Sequence, residues 1–177
     1  MKKNSGRNTI VYLSMEELYS IHQSLKKDIR VRLKEFKAVP QTEYFYELAY
    51  CLLTPQSSAV NAGNAVSELK RLNFQSKNVN PEPILNDRSH YIRFHKTKAI
   101  RLGEMKNNFW AIEEQLTMKI SPMEKRGWLV ENVKGLGWKE ASHFLRNIGH
   151  KNLAILDRHI LRNLVRCRAI KEVPKIL

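Results

Sequence analysis

Lys139 lies two residues beyond the second glycine of the run Lys134-Gly135-Leu136-Gly137, in the first turn of a helix predicted from Trp138. A lysine there faces the positive end of the helix dipole and lies among other basic residues. Both effects disfavour the ammonium and favour the free amine that acts as a nucleophile. The same residue also fits an ordinary solvated lysine in a lysine-rich chain. Eighteen residues further on, Asp157 follows the apolar run Ala154-Ile155-Leu156 and opens the last predicted helix. Its simplest role is an N-cap. At the edge of a buried run that faces a cleft, its carboxylate can also stabilise developing positive charge or help move protons.

The glycines at 135 and 137 let the backbone turn tightly and approach a ligand with no Cβ in the way. The helix that follows presents unpaired N–H groups and its positive end to an anion. An amphipathic helix before the turn and the helix from Trp138 after it make a helix–hairpin–helix over residues 123–149, a device that grips a phosphate whatever the base sequence. A plain helical corner with glycine at a C-cap accounts for a lone Gly-x-Gly equally well.

Gln56, in CLLTPQSSA, and Phe94, in IRFHKTKA, are the remaining candidates. Phe94 stands among Arg93, His95, Lys96 and Lys98, an aromatic within a set of cations that suits base stacking over phosphate contacts. It equally fits a core position at a helix start, and Gln56 fits a solvated first-turn residue. His143 and His159 have no Cys or carboxylate at ligand spacing, so they read as structural or nucleic-acid-facing rather than as metal ligands. Arg158, Arg162, Arg166 and Arg168 read as a solvated basic face. Trp110, Trp128 and Trp138 read as core, with Trp138 partly exposed.

The elements that position these residues follow from composition and periodicity. The chain of 177 residues carries 31 Lys and Arg against 17 Asp and Glu, a net charge of +14, which calls for a polyanionic partner. Two cysteines, Cys51 and Cys167, exclude a disulfide scaffold and argue against a cysteine-bound metal. The basic N-terminus lacks a long apolar run, so neither a signal peptide nor a membrane span is expected, and the setting read from this is a reducing cytoplasm or nucleoid.

Apolar residues recur at helical spacing almost throughout, giving about eight helices, no convincing strand and an all-α class. Ser14 and Glu17 form a capping box before a helix whose stripe is Leu18, Ile21, Leu25, Ile29, Leu33 and Phe36. Phe45, Leu48, Ala49, Leu52 and Leu53 face inward on the second helix. Thr54-Pro55 opens a third, reaching about Leu72. Residues 73–80 form a loop and PEPILND a short helix. A longer helix then turns Ile100, Met105, Phe109, Ile112 and Leu116 inward, and Ser121-Pro122 starts the one that leads into the hairpin.

The pairing of KGLGWKEASHFLRNIG with LAILDRHIL resembles the helix–hairpin–helix DNA glycosylases, most closely the small 8-oxoguanine DNA glycosylase/lyases of archaea and some bacteria. The resemblance extends over about residues 43–175. It implies a two-lobed helical fold with the active site between lobes: a central lobe of residues 39–149, and a second of residues 1–38 plus 150–177, all in one unit of 1–177. It implies that Lys139 attacks the sugar of the damaged nucleotide and that Asp157 stabilises the cationic sugar and assists proton transfers. A Schiff base and β-elimination would follow.

Lys134, Gly135, Leu136 and Gly137 would form the phosphate-gripping hairpin, with a monovalent cation at the carbonyls of Gly135 and Gly137. Gln56 would act as a polar wedge near the opposite strand, and Phe94 would stack on the extruded base. The implied partner is duplex DNA containing oxidised guanine, bound by a monomer without an organic cofactor. The four-cysteine loop of the iron–sulfur relatives is missing, so that cluster is not expected. The sequence ends at EVPKIL, ahead of a C-terminal helix and tail that help such enzymes read the oxidised base. Two alternatives remain at this point: an oxidised-pyrimidine glycosylase of the same superfamily, and a non-catalytic helix–hairpin–helix module.

Overall fold

The structure, a computed structural model, describes residues 12–174; the basic stretch 1–11 and the last three residues of EVPKIL lie outside the described residues. Among the described residues there are nine α-helices, one 3₁₀ turn at Gln41–Glu43 and no strand. None of these helices is long and apolar enough to cross a membrane. The chain separates into two units, Leu33–Ile155 and the two ends, Met1–Arg32 with Leu156–Leu177. The limits of the larger unit lie six residues outside the 39–149 span read from the sequence, and Leu153, beyond that span, packs against its core.

That core is built around α2 (Tyr44–Leu53), in which Phe45, Tyr46, Leu48, Ala49, Cys51, Leu52 and Leu53 are all buried. A helix apolar on nearly every side has to be surrounded. Here α3 (Ala59–Arg71), α5 (His95–Asn107) and α8 (Trp138–Asn147) pack on it, and the Phe45 ring meets Phe109 edge-on at 5.0 Å. The short α4 (Glu82–Leu85) leans on α3 and α5, while α6 (Phe109–Thr117) and α7 (Pro122–Asn132) lead into the hairpin.

In the smaller unit, α9 (Arg158–Arg166) buries Leu161 and Val165. The Leu13 N–H donates to the Arg166 carbonyl at 3.0 Å, and the Arg168 guanidinium lies 4.8 Å from the Tyr12 ring centre.

Several expectations need correction. The capping box at Ser14 and Glu17 forms and α1 runs Met15–Lys37, yet none of its residues is buried. Periodicity makes the stripe, but burial requires a partner surface. Thr54-Pro55 does not open α3: Thr54 is the C-cap of α2, and Ser58 is the N-cap, accepting from the Asn61 N–H. The long helix through residue 116 is two helices broken at Asn108, and Ile100 points to solvent while Lys98, Ala99, Leu102 and Met105 face the core. Trp110 is exposed rather than core.

Candidate active site and nucleic-acid interface

The hairpin is fixed by local chemistry on both sides. Ser121 and Glu124 form the reciprocal capping box that starts α7, with N–H to side-chain distances of 2.8 and 3.2 Å. After Asn132 the chain turns sharply, the Leu136 N–H donating to the Val133 carbonyl at 3.0 Å. Gly135 takes φ +89°, a conformation open to glycine and costly for other residues. The side chain of Leu136 is buried in the core, so only its backbone is available to a ligand. Gly137, extended, is the N-cap of α8 and offers no capping side chain.

Three cations brace this turn. Arg126 donates to the Ser142 hydroxyl at 3.2 Å and lies 4.9 Å from the Trp138 ring centre. Lys134 pairs with Glu104 of α5 at 3.1 Å. The side chain of Arg101, also on α5, lies across Gly135. A cavity of about 270 Å³ opens beside the turn between Glu104, Asn108, Asn132 and Lys134.

Lys139 stands in the first turn of α8 with its side chain 47% exposed, and its Nζ is 3.7 Å from Glu140 Oε1. The surroundings expected to be cationic therefore include a carboxylate. One helical turn on, burial first and then the charges of Arg146 and Lys139 push His143 down to about 4, so its imidazole is neutral near pH 7. The Tyr50 ring meets it edge-on at 6.0 Å. Burial, with Glu47 and Glu140 adding to it, pushes the neighbouring Cys51 thiol up, so it too is neutral. The His143 imidazole and the Cys51 thiol are thus both uncharged, while the Glu140 carboxylate lies beside the exposed amine.

Of the two carbonyls expected to face a monovalent cation, one is engaged in the helix that follows. The carbonyl of Gly137 accepts the Ala141 N–H at 2.9 Å and starts the α8 ladder, so it points along the helix. Among the described residues no group of three His, Cys, Asp or Glu could hold a metal ion.

Asp157 is the N-cap of α9, its Oδ1 accepting the Ile160 N–H at 2.8 Å. The run before it, expected to be buried, is not: Ala154 and Leu156 are exposed and Ile155 is half-buried. Gln56 and Phe94 are both exposed and both left-handed, at φ +56° and +61°. Phe94, 51% exposed, is not a core phenylalanine, and the Arg93 guanidinium lies 4.9 Å from its ring centre. Gln56 occupies the third position of a turn closed by the Ser57 N–H on the Thr54 carbonyl at 3.0 Å. Pro55 precedes it, in the arrangement where glycine is usual.

The segments of Gln56 and Phe94 are tied together: the Arg93 N–H donates to the Ser57 hydroxyl at 3.1 Å. Beneath them Lys98, 3% exposed, donates to the carbonyls of Leu53 and Pro55 at 2.7 Å each and to Ser57 Oγ at 3.1 Å. Sequence reasoning placed Lys98 among surface cations and missed this. The signal was its register, one turn before Leu102 on the inner face of α5. Arg101 and Glu140 were missed as well, since nothing local marks their contacts.

A family model described as 8-oxoguanine DNA glycosylase matches residues 29–177. The 8-oxoguanine DNA glycosylase/AP lyase of Fusobacterium nucleatum is 39% identical over 189 residues, spanning 100% of this chain and 82% of that protein. The crystal structure of the 8-oxoguanine DNA glycosylase of Thermotoga maritima matches at TM-score 0.76 and 33% identity, covering 92% of this chain and 78% of that one. The Methanocaldococcus jannaschii 8-oxoguanine glycosylase/lyase, crystallised in complex with a 15mer DNA containing 8-oxoguanine, matches at TM-score 0.77 and 32% identity, covering 90% of this chain and 80% of that one.

Proposed function

The chain belongs to the 8-oxoguanine DNA glycosylase family, and from that membership we propose how its residues divide the work of excising 8-oxoguanine from duplex DNA and cleaving the strand at the abasic site. It is a bifunctional DNA glycosylase and AP lyase. The observation that carries the division of labour is Lys139, an exposed amine in the first turn of α8, immediately beyond the glycine turn.

A base stacked in a duplex cannot present its C1′ to an amine, so the damaged nucleotide is extruded first. The hairpin grips the phosphate backbone through Lys134 and the N–H groups around Gly135 and Gly137. Gln56 fills the vacancy left in the stack, and Phe94 stacks on the extruded base.

The neutral amine of Lys139 then attacks C1′. The C1′–N9 bond breaks, its electron pair leaves with the base, and the base takes up a proton as the amine gives one away. The carboxylate of Asp157 stabilises positive charge on the sugar as it develops and assists the proton transfers. Ring opening places the O4′ oxygen in a hydroxyl and forms a Schiff base between C1′ and Nζ. Loss of a C2′ proton expels the 3′ phosphate, and water hydrolyses the Schiff base to free Lys139. The protein works as a monomer at the nucleoid.

A panel of duplexes, each with a single lesion, tests the substrate. Strand cleavage at 8-oxoguanine and little at thymine glycol is the expected pattern. Strong cleavage at thymine glycol with none at 8-oxoguanine overturns it.

A further inference from the structure

A lysine ammonium has three donors, and Lys98 spends all three on one turn of chain: the carbonyls of Leu53 and Pro55 and the hydroxyl of Ser57. A buried cation is costly unless it is fully hydrogen-bonded, so the acceptors and the cation require one another. The turn it holds contains Gln56, and the Ser57 hydroxyl that it holds also accepts the N–H of Arg93, next to Phe94. A second tie, from Asn61 Nδ2 to the Tyr91 carbonyl at 3.1 Å, joins the start of α3 to the same strand of chain. Gln56 and Phe94 each occupy left-handed backbone, where a side chain larger than glycine persists only if its surroundings enforce it. Two such residues, both exposed, flank one hydrogen bond.

We propose that Lys98 is a positioning residue: its buried ammonium locks the Thr54–Ser57 turn and, through the Ser57 hydroxyl, the Arg93–Phe94 segment, so that Gln56 and Phe94 reach DNA together as one rigid pair. This rests on the reading that both residues contact the duplex. Burial, with the charge of Arg101 adding to it, brings Lys98 down to about 8, consistent with an ammonium maintained at neutral pH by its three acceptors. Lys98 acts on extrusion and not on the amine chemistry, which separates two substrates. An intact 8-oxoguanine duplex needs the pair; a duplex with a preformed abasic site has no base to stack.

The experiment uses the full chain with Lys98→Met, Lys98→Arg and Gln56→Ala. Single-turnover excision of 8-oxoguanine by Lys98→Met is expected to fall about ten- to a hundredfold. Borohydride trapping on abasic DNA should fall less than about threefold, and Lys98→Arg should restore most of the excision. Adding Gln56→Ala to Lys98→Met should cost nothing more, because the two changes remove one function.

Amide hydrogen exchange over residues 54–58 and at Arg93 should quicken about tenfold in Lys98→Met, with α8 unchanged. Unchanged exchange there overturns the proposal, and so do losses that multiply in the double variant. Should Lys98→Met not fold, Ser57→Ala carries the same cycle, since it removes the shared acceptor and leaves both carbonyl contacts of Lys98. A parent protein that excises no 8-oxoguanine overturns the underlying reading instead, while the exchange measurement still decides whether Lys98 holds the turn.

Discussion

The side chain of Arg101 lies across Gly135, so close that a Cβ at residue 135 would stand 2.5 Å from Arg101 Cδ. The hairpin glycine is therefore constrained twice, by its φ of +89° and by an arginine from a different helix. The two constraints differ in kind, because an arginine side chain can swing aside and a backbone conformation cannot.

Gly135→Ala should cost about 1–2 kcal/mol from backbone strain. Combining it with Arg101→Ala should recover the steric part and leave the strain. Thermal unfolding of the three variants checks this, and full recovery in the double variant contradicts it.

Gly149 presents the opposite case. It closes α8 at φ +90°, with the Gly149 and His150 N–H groups donating to the carbonyls of Arg146 and Leu145 at 2.9 Å each. A Cβ there meets the Lys37 Cα at 2.9 Å and the Phe36 carbonyl oxygen at 3.2 Å, backbone atoms that cannot step aside. Gly149→Ala should therefore destabilise more than Gly135→Ala, by about 2–4 kcal/mol in urea unfolding. A smaller loss than at Gly135 contradicts the account.

How far the sequence revealed these features depends on how local each one is. The capping box at Ser14, the helix start at Ser121-Pro122 and the Gly-x-Gly turn were legible because the residues that make each lie within three positions of one another, whereas the reciprocal bond of Glu124 to Ser121 went unread. Thr54-Pro55 misled because two cap-like residues compete within five positions, and the one with a free N–H to serve, Ser58, prevails. The stripe on α1 predicts a helix but cannot say whether anything covers it. Lys98 and Lys125 sit at core registers of α5 and α7, and each ends on a carbonyl of another element, Lys98 on that of Leu53, 45 residues away, and Lys125 on that of Leu116, nine residues away. A lysine at a core register signals a buried cation, but its partners are set by tertiary structure alone.

His143 makes stability depend on acid. Its pKa in the folded protein is about 4, against an ordinary value of 6.5. Between those values the unfolded chain binds a proton that the folded chain refuses, so stability is complete above about pH 6.5 and declines as pH falls towards 4. His150, lowered by burial and by Lys125, acts in the same direction. The Tm of the parent should drop between about pH 7 and pH 5, and His143→Gln should lessen that drop. An equal drop in both contradicts the assignment.

Asp157 carries a capping role and a proposed catalytic one, which substitution separates. Asparagine keeps an acceptor for the Ile160 N–H, so Asp157→Asn should fold with nearly the parent Tm yet lose turnover by about 10²–10⁴. Asp157→Ala should lose the turnover and about 1 kcal/mol of stability besides. Near-parent turnover in Asp157→Asn reduces the residue to its cap.

The most direct measurement is borohydride trapping on an 8-oxoguanine duplex. An amine nucleophile leaves a reduced, covalent protein–DNA adduct that survives denaturing electrophoresis. The parent should form it, and Lys139→Gln should form none while still retarding the duplex on a native gel. An adduct from Lys139→Gln as abundant as that of the parent would show that some other amine does the chemistry.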